Sequence, residues 1–122
     1  MKKIETTNAP GAIGPYSQGF VVGNFVFTSG QIGIDPATGN IPQDITAQAE
    51  QCCKNVGAVL AAAGIGFENV CKTTCFLADM ADFAAFNEVY LQYFISKPAR
   101  SCIAARELPK GVLCEVEAIS MK

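Results

Sequence analysis

Histidine and tryptophan are both absent from this chain of 122 residues. The lack of histidine excludes Ser-His-Asp and Cys-His catalysis, His-ligated metal sites and the His acid–base pairs of many ribonucleases. Any chemistry must therefore use carboxylates, arginine, lysine, tyrosine, cysteine or backbone groups.

Charge is also scarce, because only 16% of the residues are charged and the net charge is −2. Nine Lys and Arg residues are scattered along the chain, so no basic stripe for nucleic acid is present and we do not expect a nucleic-acid partner. There is no apolar run of about 18 residues that could span a bilayer. The first residues also lack the apolar stretch of a signal peptide. We therefore expect a cytoplasmic protein with no membrane partner.

The six cysteines show no metal-binding pattern. Cys52 and Cys53 are adjacent, Cys71 and Cys75 form CxxxC, and no histidine can complete a zinc site. We expect free thiols that pack as small apolar residues, with Cys71 and Cys75 on the same side of a strand. The sequence thus predicts neither disulfides nor a metal.

Half of the residues are apolar. That content can build a core in one compact domain covering residues 1–122, without an internal repeat or linker. Surplus apolar surface on a small domain is often buried between subunits. The composition therefore favours a homo-oligomer.

Hydrophobic periodicity predicts six strands and two helices. We expect the strands at residues 3–6, 18–22, 25–28, 70–77, 100–105 and 113–121, and the helices at 45–63 and 81–94. The order β-β-β-α-β-α-β-β indicates an α+β fold, a two-layer sandwich with both helices on one face of the sheet. The other sheet face would be left for partner subunits.

The first helix has the clearest signals at its ends. Asp44 can cap its start and Gly64 can take the left-handed position that ends it. Apolar residues recur at spacings of three and four, and the same spacing predicts that four polar side chains lie mainly on the solvent side: Gln48, Gln51, Lys54 and Asn55.

Arg100 begins an apolar strand directly after the segment Pro98-Ala99. A guanidinium can hold a carboxylate with two parallel hydrogen bonds, so an arginine at a strand end is suited to an anion-binding pocket. The alternative is an arginine paired with a carboxylate of its own chain.

Glu115 and Glu117 point to one sheet face, because side chains alternate along a strand. Two carboxylates about 7 Å apart raise each other's pKa, which suits one of them to act as a general base. The alternative is a solvated face on an edge strand.

Tyr16 and Ser29 supply hydroxyls in two loop-like segments, and Gly30 would let the backbone approach a ligand closely. Ordinary turn chemistry is the alternative for each. Cys102 lies two residues after Arg100 and could line a pocket, although no histidine is available to activate it as a nucleophile.

Several segments together resemble the Rid family (reactive intermediate deaminases, also called the YjgF family). Residues 13–18 read IGPYSQ and residues 28–33 read TSGQIG. Residues 98–101 read PARS, followed by LPKG at 108–111 and EVEAI at 115–119. These motifs, with VCKTTCFL at 70–77, are similar to family motifs in the same order and at matching spacing.

The resemblance implies a chorismate-mutase-like fold assembled as a homotrimer with clefts between subunits. It implies hydrolysis of small imino acids, 2-iminopropanoate and 2-iminobutanoate released by pyridoxal-phosphate dehydratases, to 2-oxo acids and ammonia without metal or cofactor. By the same resemblance Arg100 would hold the substrate carboxylate and Glu115 would orient or deprotonate the attacking water. Tyr16, Ser29, Gly30 and Cys102 would line the cleft, and Asn87 matches a common family residue without an assigned role.

Two other activities remain as alternatives. Endoribonuclease or translation-inhibitor activity is also attributed to the family, and a non-catalytic trimer could bind carboxylate ligands through Arg100. The connection at residues 94–98 is shorter than in many relatives, with Lys97 where an aromatic residue often precedes the proline. Because this connection would lie beside the cleft, it affects the expected preference for substrate size.

Overall fold

A computed structural model of the chain describes residues 1–122 and has two α-helices packed on a mixed sheet. The α+β two-layer sandwich expected from the sequence is confirmed. The strands are β1 (Lys2–Ile4), β2 (Gly19–Val22), β3 (Phe25–Thr28), β4 (Gln31–Ile32), β5 (Val70–Leu77), β6 (Ala99–Ala104) and β7 (Cys114–Met121). The helices are α1 (Ile45–Ala62) and α2 (Phe83–Tyr93).

The sheet has the order β1-β2-β3-β7-β5-β6, and β4 pairs with β7 beside the end of β3. Only β5 and β6 run parallel, and every other pair is antiparallel. Because β7 lies between β3 and β5, Glu115 and Glu117 are on a central strand, and the alternative of a solvated edge strand is wrong. The edge strands are β1 and β6. Neither α1 nor α2 combines the length and the apolar character that a membrane-spanning helix needs.

The predicted ends of α1 are confirmed. Asp44 accepts a hydrogen bond from the Ala47 N–H at 3.2 Å, which caps one of the free donors at the helix start. Gly64 follows the helix with φ +79°, a conformation that side chains with a Cβ rarely adopt. The helix is one residue shorter than predicted.

Two of the four polar side chains assigned to the solvent side of α1 are buried instead. Asn55 has no exposed surface, and its side-chain amide donates to the carbonyls of Ile32 and Ile34, both at 2.9 Å. Gln48, also buried, donates to Pro42 O and accepts from Leu113 N, both at 2.8 Å. Burial of these amides is compensated, because each one hydrogen-bonds to backbone groups in or next to β4, before α1 or before β7.

The predicted common face for Cys71 and Cys75 is wrong. The pairing of β5 with β7 shifts between Val70 and Lys72, so Cys71 occupies a bulge and breaks the alternation. Cys71 is exposed while Cys75 is fully buried.

The other helix and strand ends differ from the predicted ones by a few residues. The hairpin between β2 and β3 turns at Gly23, whose φ of +59° is the positive value that a primed turn requires. A 3-10 turn (Met80–Asp82) precedes α2, so the α-helix starts at Phe83 rather than at residue 81. The two-residue strand β4 was not predicted, because it is too short to show an alternating pattern.

The face of the sheet away from the helices is uncovered and apolar. Strand register places Phe27 beside Ile119, and Phe76 between Glu115 and Ile103. Five large apolar side chains of this face are 40–51% exposed: Val22, Phe25, Phe27, Ile103 and Met121. We call this surface the open face. It is the surface that the sequence assigned to partner subunits.

Candidate functional site

The Glu115 cavity is an open pocket of about 580 Å³ at one end of the open face. We define it by six of its lining residues: Tyr16, Ser29, Gly30, Ile32, Lys110 and Glu115. Four of the residues expected at the site, Tyr16, Ser29, Gly30 and Glu115, therefore lie around one cavity. Tyr16 is half-exposed, so its ring is available to a ligand.

One wall of the cavity is a loop held by Gln18. The buried amide of Gln18 accepts from Thr6 N at 2.7 Å and donates to the carbonyls of Thr6 and Pro10 at 2.9 Å. Ser29 N donates to Gln18 O at 2.9 Å, and the Ser29 hydroxyl donates to Ser17 O. The residues before Tyr16 are thus tied to Gln18, and the residues after Tyr16 are tied to Ser29.

Gly30 packs directly against the Glu115 carboxylate. A Cβ built on Gly30 would overlap Glu115 Oε2 and lie 2.9 Å from its Cδ. Only glycine therefore leaves room for this carboxylate orientation, which gives Gly30 a specific steric role.

Burial raises the pKa of the Glu115 carboxyl above its ordinary value, and the charge of Glu117 raises it further. Both carboxylates point to the open face, where Thr74 and Phe76 of β5 are their cross-strand neighbours. A carboxylate with a raised pKa is a stronger base and remains able to take a proton from water near neutral pH.

Arg100 lies on the edge strand β6 and reaches α2. Its Nη1 donates to Asn87 Oδ1 at 2.8 Å. The guanidinium carbon lies 4.7 Å from the centroid of the Tyr90 ring and 5.5 Å from that of Phe83. We call Arg100 with Phe83, Asn87 and Tyr90 the Arg100 clamp.

No carboxylate of the chain neutralises Arg100, since the one ion pair in the structure joins Lys3 to Glu5 at 2.8 Å. The alternative of an arginine paired with a carboxylate of its own chain is therefore wrong. A half-buried guanidinium with unused donors is a binding group for an external anion.

The structure does not bring Arg100 and Glu115 together within one chain. Arg100 pairs in register with Thr73, whose hydroxyl meets Tyr90 of α2 at 2.6 Å, so Arg100 is on the helix-covered face. Glu115 is on the open face, and Arg100 is absent from the lining of its cavity. Each chain thus holds two separate halves of the expected site.

Cys102 belongs with Arg100 and not with the Glu115 cavity. It is half-buried and pairs in register with the buried Cys75 of β5. Burial raises the pKa of the Cys102 thiol, and the Arg100 charge offsets this only in part. The thiol is therefore neutral at neutral pH, which does not favour a nucleophilic role.

Four of the remaining thiols are buried as expected: Cys52, Cys53, Cys75 and Cys114. The sulfurs of Cys52 and Cys114 are 3.6 Å apart, well beyond the bond length of about 2.05 Å in a disulfide. Burial raises the pKa of Cys75 to about 12, so this thiol stays protonated at neutral pH.

Sequence reasoning missed the aromatic part of the clamp. The spacing of Phe83 and Tyr90 on α2 is equally typical of a stripe that packs in the core, so it does not by itself indicate a binding surface. Asn87 was noted without a role. The positions 83, 87 and 90 share a helix face, and this spacing is the only signal that could have joined them to one surface.

Comparisons with known proteins agree with these observations. Residues 6–122 match the family described as Endoribonuclease L-PSP. The Escherichia coli (strain K12) 2-iminobutanoate/2-iminopropanoate deaminase is 47% identical, with 99% of this chain and 98% of the relative covered.

Two solved structures have nearly the same fold. A crystal structure of E. coli TdcF with bound serine is 48% identical with a TM-score of 0.97, and 100% of this chain and 99% of that chain are covered. The YjgF gene product from E. coli is 46% identical at the same TM-score and the same coverage.

Proposed function

The chain belongs to the Rid (YjgF, endoribonuclease L-PSP) family, and we propose that it hydrolyses small 2-imino acids, 2-iminobutanoate and 2-iminopropanoate, to 2-oxo acids and ammonia. Relatives that carry the name deaminase support a reaction at a carbon–nitrogen bond. A solved relative with bound serine supports a ligand of amino-acid size.

The observation that carries the proposal is the environment of Glu115. Its partly buried carboxylate, with a raised pKa, faces an open cavity that also contains Tyr16 and Ser29. A protein that only binds carboxylate ligands gains nothing from a second negative charge beside them, whereas a hydrolase needs a base for water.

The proposed site is shared between two copies of the chain in a homotrimer. Arg100 and Glu115 lie on opposite faces of one sheet, so one chain cannot apply both to the same small substrate. The apolar open face supplies a surface that a second copy would bury, which would bring the Arg100 clamp of one copy to the Glu115 cavity of the next.

In this site Arg100 would hold the substrate carboxylate through two hydrogen bonds. A water molecule would attack the imine carbon, forming the carbon–oxygen bond while its proton passes to Glu115. The electron pair of the C=N double bond would move to the protonated nitrogen, giving a carbinolamine.

Glu115 would then return its proton to the amine as the carbon–nitrogen bond breaks. Loss of the hydroxyl proton to water completes the carbonyl and returns the proton that the imine nitrogen had taken up, so imine and water become 2-oxo acid and ammonia. Because the imine carbon is already electrophilic, positioning and one carboxylate suffice, and the proposal needs no metal or cofactor.

A coupled assay tests the proposed activity. Purified threonine dehydratase acting on threonine generates 2-iminobutanoate in the same solution, and the appearance of 2-oxobutanoate and ammonia is followed with and without this protein. We expect faster release of 2-oxobutanoate in its presence. An unchanged rate would reject the deaminase function, and a parallel assay with RNA would then test the ribonuclease alternative.

Sedimentation equilibrium tests the shared site. We expect a species of three chains, each of 12.9 kDa. A stable monomer at micromolar concentration with full activity would contradict a site made from two copies.

A further inference from the structure

We propose that Tyr90 is a positioning residue for the carboxylate anchor, with its ring serving as the platform that orients the Arg100 guanidinium. This inference rests on the proposed function, since Arg100 is the group that would hold the substrate. It concerns a residue that never touches the substrate and acts only through Arg100.

The platform has the geometry of a cation–π contact. The Tyr90 ring is the nearer of the two rings beside the guanidinium, at 4.7 Å against 5.5 Å for Phe83. A planar guanidinium within about 6 Å of a ring centroid is attracted by the ring and can stack on it. Since Asn87 Oδ1 accepts from Nη1, the remaining donors stay available for a carboxylate.

The ring itself is fixed on the sides away from Arg100. Phe94 stacks on it at 4.4 Å between centroids with an interplanar angle of 19°, and Phe86 packs at 5.8 Å. The Tyr90 hydroxyl lies 2.6 Å from the hydroxyl of Thr73, which is completely buried. Thr73 is also the register partner of Arg100 in the pairing of β5 with β6. The residue that fixes the Tyr90 ring therefore lies directly beside Arg100.

Burial raises the pKa of Tyr90 to about 12, so the hydroxyl keeps its proton at neutral pH. The hydrogen bond with Thr73 therefore persists over the working range of an enzyme. The fixed Tyr90 ring in this way holds the long flexible side chain of Arg100. Arg100 therefore loses less conformational entropy when a ligand binds.

Two substitutions at Tyr90 separate the contribution of its ring from that of its hydroxyl hydrogen bond. Tyr90→Leu removes the platform, and we expect the KM for 2-iminobutanoate and the Kd for 2-oxobutanoate to rise roughly tenfold. The kcat should fall less, because Arg100 contacts the carboxylate before and during the reaction. Tyr90→Phe keeps the ring and should retain most of the binding, with a loss of about two- to threefold.

Thr73→Val is the matched variant for the hydroxyl. It should reproduce the effect of Tyr90→Phe, and the Tyr90→Phe/Thr73→Val double variant should add nothing further. Val26→Ala controls for lost core stability, because this fully buried residue lies on β3, three strands from β6. It should lower the melting temperature without changing the Kd for 2-oxobutanoate.

Combination with Arg100→Ala distinguishes the two hypotheses. Tyr90→Leu should cause no further loss of 2-oxobutanoate binding in the Arg100→Ala background, since the platform then has nothing to orient. If Arg100→Ala no longer binds 2-oxobutanoate while Tyr90→Leu and Tyr90→Phe bind it like the wild type, Tyr90 has no positioning role and the proposed function stands. If Arg100→Ala itself binds and turns over normally, the proposed function fails. An additional tenfold loss in the double variant would also overturn the platform.

Discussion

The Arg100 clamp and the Glu115 cavity are built by different means. In the clamp, side chains of one regular helix surround a cation on an edge strand, and Asn87 with Tyr90 fixes its direction. In the cavity, loops and the short strand β4 surround a carboxylate on the central strand, and a missing side chain at Gly30 leaves it room. One region is suited to hold a charge in a fixed place and the other to admit water and ligand.

The two regions are also complementary in charge. Arg100 forms no ion pair with a carboxylate of the chain, and Glu115 forms none with a cation, although Lys110 also lines its cavity. Each of these two charges is therefore without an ion-pair partner in its own chain. This difference predicts that changes in the clamp affect binding, whereas changes in the cavity affect turnover.

The largest effect should come from Arg100→Ala. Loss of a desolvated, charge-assisted contact costs on the order of 2–4 kcal/mol, or roughly 30- to 1,000-fold in both 2-oxobutanoate binding and kcat/KM. Arg100→Lys should recover little, since an ammonium lacks the planar pair of donors. Calorimetric titration with 2-oxobutanoate measures the binding. The exposed Arg106→Ala is the matched control and should bind normally.

Glu115→Gln should separate chemistry from binding. It keeps the shape and removes the charge, so turnover should fall about 100-fold or more while 2-oxobutanoate binding persists or tightens. The coupled dehydratase assay measures turnover, with the exposed Glu107→Gln as control. Full turnover by Glu115→Gln would favour a binding protein over an enzyme.

A mixture of the two variants tests whether the regions act across copies. When Arg100→Ala and Glu115→Gln chains are unfolded and refolded together, each site draws its Arg100 and its Glu115 from different chains. About one site in four is then intact in a random mixture of equal amounts, so about a quarter of wild-type activity should return. Activity no greater than that of the separately refolded variants would place both residues in a site within one chain.

The smallest effect concerns the neighbour of the base. Glu117 raises the pKa of Glu115, so Glu117→Gln should lower that pKa. Since the base works when deprotonated, the acid side of the pH profile of kcat should move to lower pH, by less than about one unit. Movement to higher pH would mean that Glu117 does not act through its charge.

Helix α1 shows how much local chemistry determines. Asp44 and Gly64 were identified from residue type alone, because a capping carboxylate and a left-handed glycine act within a few residues. The buried amides of Gln48 and Asn55 could not be identified in this way. Their partners include backbone groups of β4 and of the residue before β7, which are far away in the sequence, and a polar residue at a helix position gives no sign of such a partner.

The sequence predicts that Tyr16, Ser29, Gly30 and Glu115 lie together, as they do around the cavity, but it does not predict that Arg100 lies on the other face of the sheet. Strand alternation correctly placed Glu115 and Glu117 on one face. The opposite orientation of Arg100 depends on the register of β6 and β7 against β5, where Thr73 lies between Arg100 and Ala118. Register between strands far apart in sequence is fixed by the whole sheet, including the bulge at Cys71, so no local pattern contains it.

That bulge has a practical consequence for labelling chemistry. It exposes Cys71, while four thiols remain buried and Cys102 is only half-accessible with a raised pKa. A maleimide dye used briefly at neutral pH will therefore react first at Cys71, without any engineered cysteine. The native chain thus carries its own attachment point for a fluorescent reporter, on the strand between β7 and the edge strand β6.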